Sequence, residues 1–213
     1  HHADRILNEA LDGKKATAPD AAMAPSRLRG WSGRATPTTV IMVRHGSTPL
    51  TVAKRFSSGL GGSDPGLTDE GRAQSRAVAD WLSPLGATVD VIVTSPVRRA
   101  AETADIVGAR RDRPVSNDEG FAEMHFGSWD GKTYDEVTTA DPGAVEGWLG
   151  SMDVRPGGGE SFRSVAKRVS ASLDKAIADH AGSTVLLVSH VTPIKVVVAR
   201  ALGAPLDSLF RME

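Results

Sequence analysis

The sequence contains no cysteine. Disulfides, cysteine-ligated metals and thiol nucleophiles are therefore excluded, and such a chain suits a reducing compartment. Net charge is nearly absent as well: 25 Lys and Arg against 26 Asp and Glu leave a formal charge of -1. That balance offers no electrostatic footprint for nucleic acid or an anionic membrane, so the expected partner is a small molecule. No apolar run approaches the roughly 20 residues that span a bilayer, and the N-terminus lacks the charged-then-apolar pattern of a secretory signal. The expected location is the cytoplasm, and no internal repeat is visible. What is present is ordinary for a globular protein: 213 residues, 40% hydrophobic and 24% charged, enough for one domain with a substantial core and a tail.

The first segment, Ala3 to Leu11, can form a short helix, whereas Gly13 to Ala35 is rich in Ala, Pro, Ser, Gly and Arg without periodicity and reads as a linker. Trp31, Arg27, Arg29 and Arg34 within it read as solvated. Order is expected from Thr38-Thr39-Val40-Ile41-Met42-Val43, an apolar β-branched run of the kind that forms a buried parallel strand. Val89 to Thr94 and Thr184 to Ser189 behave alike, and helical patterns lie near 68–83, 97–109 and 160–180. Strands alternating with helices imply βαβ units. The first helix has Thr68 as N-cap and Asp69 and Glu70 in its opening turn, and its inward face is expected to hold Ala73, Ala77, Val78 and Trp81. Residues 110–159 contain Asp141-Pro142-Gly143 and Pro156-Gly157-Gly158-Gly159 and are expected to be irregular or briefly helical, covering the sheet edge.

Each strand delivers polar residues as it ends: Arg44-His45-Gly46, then Ser95-Pro96-Val97-Arg98-Arg99, then His190. In open α/β sheets, ligands bind in the crevice beyond the carboxyl ends of the strands. Arginine forks match phosphate oxygens and neutralise the charge that spreads over them in phosphoryl transfer, which makes this a phosphate pocket without a metal or other cofactor. A histidine that is neutral near pH 7 can attack phosphorus through a ring nitrogen, given a partner that fixes its tautomer. His45 is placed for that attack, and Gly46 is expected to let phosphate approach the backbone. An alcohol leaving group also needs a proton. Glu123, among the aromatic residues of the Phe121 to Gly131 run, is the candidate donor, since desolvation there favours the neutral acid.

These motifs together resemble the histidine phosphatase superfamily, in its phosphoglycerate-mutase-like branch, from Thr38 to the C-terminus. The residues that carry the resemblance are Arg44-His45-Gly46-Ser47-Thr48, Asp64 to Gly71, Ser95 to Ala104, Glu123 to Gly131, Gly158-Gly159-Glu160-Ser161 and Ser189-His190-Val191-Thr192-Pro193-Ile194. The resemblance implies a three-layer α/β/α sandwich with a mostly parallel sheet over residues 38–213. It implies that His45 becomes phosphorylated, that Arg44, Arg99 and His190 hold the phosphoryl group, and that Glu123 donates the proton and then activates water. Arg99 rather than Arg98 falls in the phosphate position. The segment Lys54 to Gly59 resembles the substrate loop, with Thr51, Ser57, Ser58 and Gly59 as candidate contacts and Ser57 the best of them. No metal site is expected, and His1, His2, His125 and His180 are read as a tag remnant, a pocket lining and a helix end.

The sequence departs from the family pattern at several points. Thr51 stands where many relatives have Asn, Trp129-Asp130-Gly131 replaces Trp-Glu-Gly, Pro96-Val97 replaces Asp-Leu, and the chain ends at Glu213, sooner than expected after the helix from Thr192. Ala3 to Asp12 resembles the last helix of a type I ribonuclease H, so residues 1–12 are expected to be the remnant of a preceding domain, followed by a linker over 13–37. Fusions of ribonuclease H to acid phosphatase or alpha-ribazole phosphatase-like domains form a known architecture. Asp4 alone cannot assemble a two-metal nuclease site, so no nuclease activity is expected. The expected function is a phosphomonoesterase acting on a small phosphorylated metabolite. A mutase is the alternative within the family, disfavoured by a missing insertion after the Glu123 motif, and a non-catalytic phosphate-binding module is the alternative outside catalysis. Substrate and oligomeric state are not readable from the sequence.

Overall fold

Continuous apolar runs in a chain of this kind form strands covered on both faces, and three of them do so here. The computed structural model describes residues 36–83, 89–110, 112–113 and 115–212. The expectations for residues 1–35, the short helix, the linker and its basic cluster, lie outside the described residues. The elements are β1 (Thr39–Arg44), α1 (Pro49–Val52), α2 (Asp69–Leu82), β2 (Val91–Thr94), α3 (Arg98–Ala109), β3 (Val115–Asn117), α4 (Tyr134–Ala140), α5 (Ala144–Leu149), α6 (Phe162–Asp179), β4 (Thr184–Ser189) and α7 (Val191–Ala201), with short 3-10 turns between.

The strands form one sheet in the order β1-β4-β2-β3, and every pairing is parallel. Side chains alternate across the central strand β4. Leu186 and Val188 join Ile92 and the α2 and α3 residues Ala79, Leu82, Ala100, Ala104 and Val107 in one buried cluster. Val185 and Leu187 point the other way, into a cluster with Val165, Val169 and Leu173 of α6 and Val196 and Val197 of α7. Two cores separated by a sheet make the three-layer sandwich expected from the sequence.

The edge strand β3 was not expected. It spans three residues, too few for a hydrophobic period to register, and it holds its place through pairing with Ile92 to Thr94. The inward face of α2 also differs from the expectation. Its buried residues are Gly71, Ser75, Ala79 and Leu82, while Ala73 and Ala77 are exposed and Trp81 is 64% exposed. The reason is close packing. A Cβ on Gly71 would lie 2.2 Å from the carbonyl oxygen of Ser47, and Ser75 donates to the carbonyl of Gly71 and reaches Thr103 of α3. A face that touches backbone selects small residues, not the bulkiest apolar ones. Thr68 caps α2 as expected, accepting from Gly71 N–H at 3.0 Å, with Asp69 and Glu70 in the first turn.

Candidate active site

The sheet order places the ends of β1, β4 and β2 side by side. The ladder runs one residue past the strands, with His45 N–H donating to Ser189 O and Ser95 N–H to Val188 O, both at 3.0 Å. His190 follows as the N-cap residue of α7. The His45 and His190 rings lie 5.0 Å apart between centroids, tilted by 56°.

Two contacts fix the tautomer of His45. Nδ1 lies 2.8 Å from Gly46 O, a carbonyl that only accepts, so Nδ1 carries the hydrogen. Arg99 Nε–H donates to Nε2 at 3.2 Å, so Nε2 presents its lone pair. Burial first, then the Arg99 and Arg44 charges, lower the His45 pKa from 6.5 to about 4, against the opposing bond to Gly46. The ring is neutral at pH 7. Because the folded ring titrates below the unfolded one, this histidine lowers stability as pH falls from 6.5 toward about 4. A side-chain nitrogen NMR titration of the free protein should find His45 protonating near pH 4, and a midpoint near 6.5 would contradict this environment. His190 is buried and held neutral by that burial and by Arg99, with its Nε2 2.8 Å from Ser95 Oγ and its Nδ1 without a partner.

Arg99 is 1% exposed. Its Nη2 donates to the carbonyls of Ser57 and Ser58 at 3.1 and 3.0 Å, and its Nη1 has no partner. Arg98 faces outward and donates through Nε to Glu102 at 2.7 Å, so the two adjacent arginines point to different surroundings. Glu102 in turn accepts from Leu67 N–H and Arg72, which ties the Asp64 to Gly71 segment to α3.

Glu123 is buried, accepting from Met124 N–H at 2.8 Å and more weakly from Thr192 N–H of α7 at 3.5 Å. Its backbone is held by a residue that sequence reasoning passed over. Arg168, on α6, donates to the carbonyls of Gly120, Ala122 and Glu123 at 2.9, 2.7 and 3.1 Å. Its remaining fork meets Glu160 at 2.9 and 2.8 Å, and Glu160 also accepts from His125 N–H. Glu160 was singled out as part of a motif, and the only local sign of its partner is an arginine eight residues on along an amphipathic helix. Ser189 Oγ adds a further tie to Phe121 O at 2.7 Å. Arg168→Met should lower stability by about 2–3 kcal/mol, because a charged Glu160 and three carbonyls lose their donor.

Of the substrate-loop residues, Thr51 and Ser57 line a cavity of about 680 Å³ together with Arg44, His45, Arg99 and Glu123. Ser57 Oγ is buried without a partner. Ser58 and Gly59 do not line it. Ser58 donates its N–H to Asp130 Oδ1 at 2.6 Å and accepts from Phe126 N–H, and a Cβ on Gly59 would sit 2.2 Å from Glu123 O. Their work is to pack the loop against the Glu123 segment. Asp130, the departure from the family pattern, receives Ser63 N–H as well; burial opposes its charge, but the Ser63 and Ser58 bonds overcome it and hold the carboxyl below its usual range. The expectation for Gly46 needs correction. The space a Cβ would need is occupied by Gly71, whose carbonyl oxygen would be 2.3 Å away, so the glycine serves the contact with α2 rather than an approaching phosphate. His125 lines a second cavity, of about 420 Å³, with Glu160 and Arg168. Among the described residues no group of three or more His, Cys, Asp or Glu side chains is arranged to hold a metal ion, and no helix is long and apolar enough to cross a membrane.

Comparison with known proteins agrees with this geometry. The chain is 37% identical over 220 residues to the bifunctional protein Rv2228c of Mycobacterium tuberculosis, covering 100% of this chain and 59% of that protein. It thus spans well under two thirds of that relative's length. Among solved structures, YhfR of Bacillus stearothermophilus superposes with a TM-score of 0.74 at 34% identity, over 83% of this chain and 85% of that one. The mycobacterial glucosyl-3-phosphoglycerate phosphatase Rv2419c, solved in complex with VO3, gives 0.73 at 31% identity over 81% and 85%. The sheet and its flanking helices are the phosphoglycerate-mutase-like α/β fold of these neighbours. With residues 40–213 matching it, the chain belongs to the histidine phosphatase superfamily, branch 1.

Proposed function

We propose that this domain hydrolyses monoesters of phosphate through a phosphohistidine on His45. The observation that carries the reading is the state of the His45 ring: neutral, hydrogen on Nδ1, lone pair on Nε2, directed at a buried guanidinium. Nε2 attacks phosphorus, the bond to the ester oxygen breaks, and that oxygen takes a proton from the Glu123 carboxyl. Glu123, now a carboxylate, takes a proton from water as the water oxygen attacks phosphorus, and the bond to Nε2 breaks to return the lone pair. Arg44, Arg99 and His190 hold the phosphoryl oxygens. In support, Arg99 Nη1 and Ser57 Oγ are buried polar atoms without partners in residues that line the cavity with His45, and an oxyanion satisfies such atoms. The complex of a neighbour with VO3, an oxyanion that resembles phosphate, supports the same reading.

Rapid quenching during turnover, followed by mass spectrometry, should find one phosphoryl group on the peptide that contains His45, labile to acid. Turnover at full rate with no such species, or with the phosphoryl group on another residue, would refute the mechanism. We further propose that residues 1–12 are the end of a ribonuclease H-like domain, supported by the alignment of the whole of this chain to 59% of a protein named as bifunctional.

A further inference from the structure

Aromatic residues are scarce in this chain: five Phe, four Trp and one Tyr among 213 residues. Yet Phe56, Phe126, Tyr134, Trp148, Phe162 and Phe210 all line the cavity that holds His45 and Arg99. They interlock into a wall built from the substrate loop, α4, α5, the start of α6 and the C-terminal turn. Phe56 and Tyr134 stack at 4.7 Å, Trp148 and Phe162 stack at 5.2 Å with planes 11° apart, and Phe210 meets Phe162 edge-on at 5.2 Å. Tyr134 and Phe210, at 46% and 39% exposed, form a rim that keeps apolar surface in water. Apolar area clustered at the mouth of a site marks the place where a ligand covers it.

Of the cations beside this wall, Arg55 is paired with a carboxylate, whereas Lys195 and Lys54 keep their charge. Arg55 forks onto Glu136 at 2.8 and 3.1 Å and donates to Gly131 O at 2.7 Å. Lys195 donates to the carbonyl of Met212. Lys54 remains, and it is solvent-exposed, where an ion pair contributes little. Along the wall itself a polyol finds little to bind, whereas a flat ring can cover the exposed rings of Tyr134 and Phe210.

We infer that the phosphate ester this site takes has an alcohol leaving group bearing an aryl or heteroaryl ring, rather than a bare polyol. The inference rests on the phosphatase reading of the same cavity. Its test compares esters whose alcohols are similarly basic, so that chemistry at the leaving oxygen does not favour one: 2-phenylethyl and 2-(1-naphthyl)ethyl phosphate against glycerol 1-phosphate. The arylethyl esters should show kcat/KM higher by about 10–100-fold, as burial of a ring in an aromatic pocket predicts. Tyr134→Ala and Phe210→Ala should each move the aryl-to-glycerol ratio toward one, mainly through KM. Trp81→Ala, an exposed aromatic on α2 away from the cavity, should leave the ratio as it is. Glycerol 1-phosphate turning over as well as the arylethyl esters would overturn the inference and leave the phosphatase reading standing. Failure to release phosphate from any ester, p-nitrophenyl phosphate included, would remove both.

Discussion

His45→Ala is expected to lower turnover of p-nitrophenyl phosphate by at least about 10⁴-fold, as loss of a nucleophile does in enzymes with a covalent intermediate. The ring does what no neighbour can do. Its Nε2 carries the lone pair because Nδ1–H is committed to Gly46 O, and the second histidine at the site has its Nε2 beside Ser95 Oγ. Alanine leaves Arg99, Arg44 and His190 in place, so binding of inorganic phosphate should survive, and its retention by calorimetry separates a lost nucleophile from a lost site. Thermal stability should change little, since the ring makes only two hydrogen bonds. Equal rates from the variant and the parent would sink the mechanism.

Glu123→Gln divides the two half-reactions. An alkyl ester needs a proton at its leaving oxygen, so turnover of such esters should fall by about 10²–10⁴-fold, the range for a lost general acid. Nitrophenolate leaves without a proton. Phosphorylation by p-nitrophenyl phosphate should therefore stay fast while water attack, which needs the carboxylate as base, becomes slow. The signature is a burst of nitrophenolate equal to the enzyme concentration, followed by a slow steady rate. The amide keeps the shape and one acceptor for the Met124 amide, so folding is preserved. Loss of both substrates alike without a burst would mean that Glu123 shapes the loop and moves no proton.

Much of this site could be read from the chain because its cause is local. A run such as Val185 to Val188 is buried on both faces, so it announces a central parallel strand without help from its neighbours. Thr68 followed by Asp69 and Glu70 announces a helix start for the same reason. The residues at the strand ends then follow from the α/β architecture. What escaped is set by distant parts of the chain. The buried stripe of α2 is chosen by the backbone of Ser47, β3 by its pairing with β2, and Arg168 by carbonyls 45 to 48 residues earlier. Gly46 was read as making room for a ligand, because a sequence shows that bulk is missing and not what fills the space. Ser58 and Gly59 share with Ser57 the resemblance to a substrate loop, but their hydrogen bonds and packing turn them toward Asp130 and Glu123.

The paired glycines beside His45 also constrain how this chain can change. A methyl group on Gly46 would meet Gly71 at 2.3 Å, and one on Gly71 would meet Ser47 at 2.2 Å. The obstacle at both is space, and the atoms in the way are backbone, which a rotamer change does not move. Neither position can therefore accept alanine first and wait for the other to compensate, since each substitution wedges α2 away from the turn that carries His45. The route to a different residue at either place requires moving a whole helix, so mutational drift is blocked here by geometry alone.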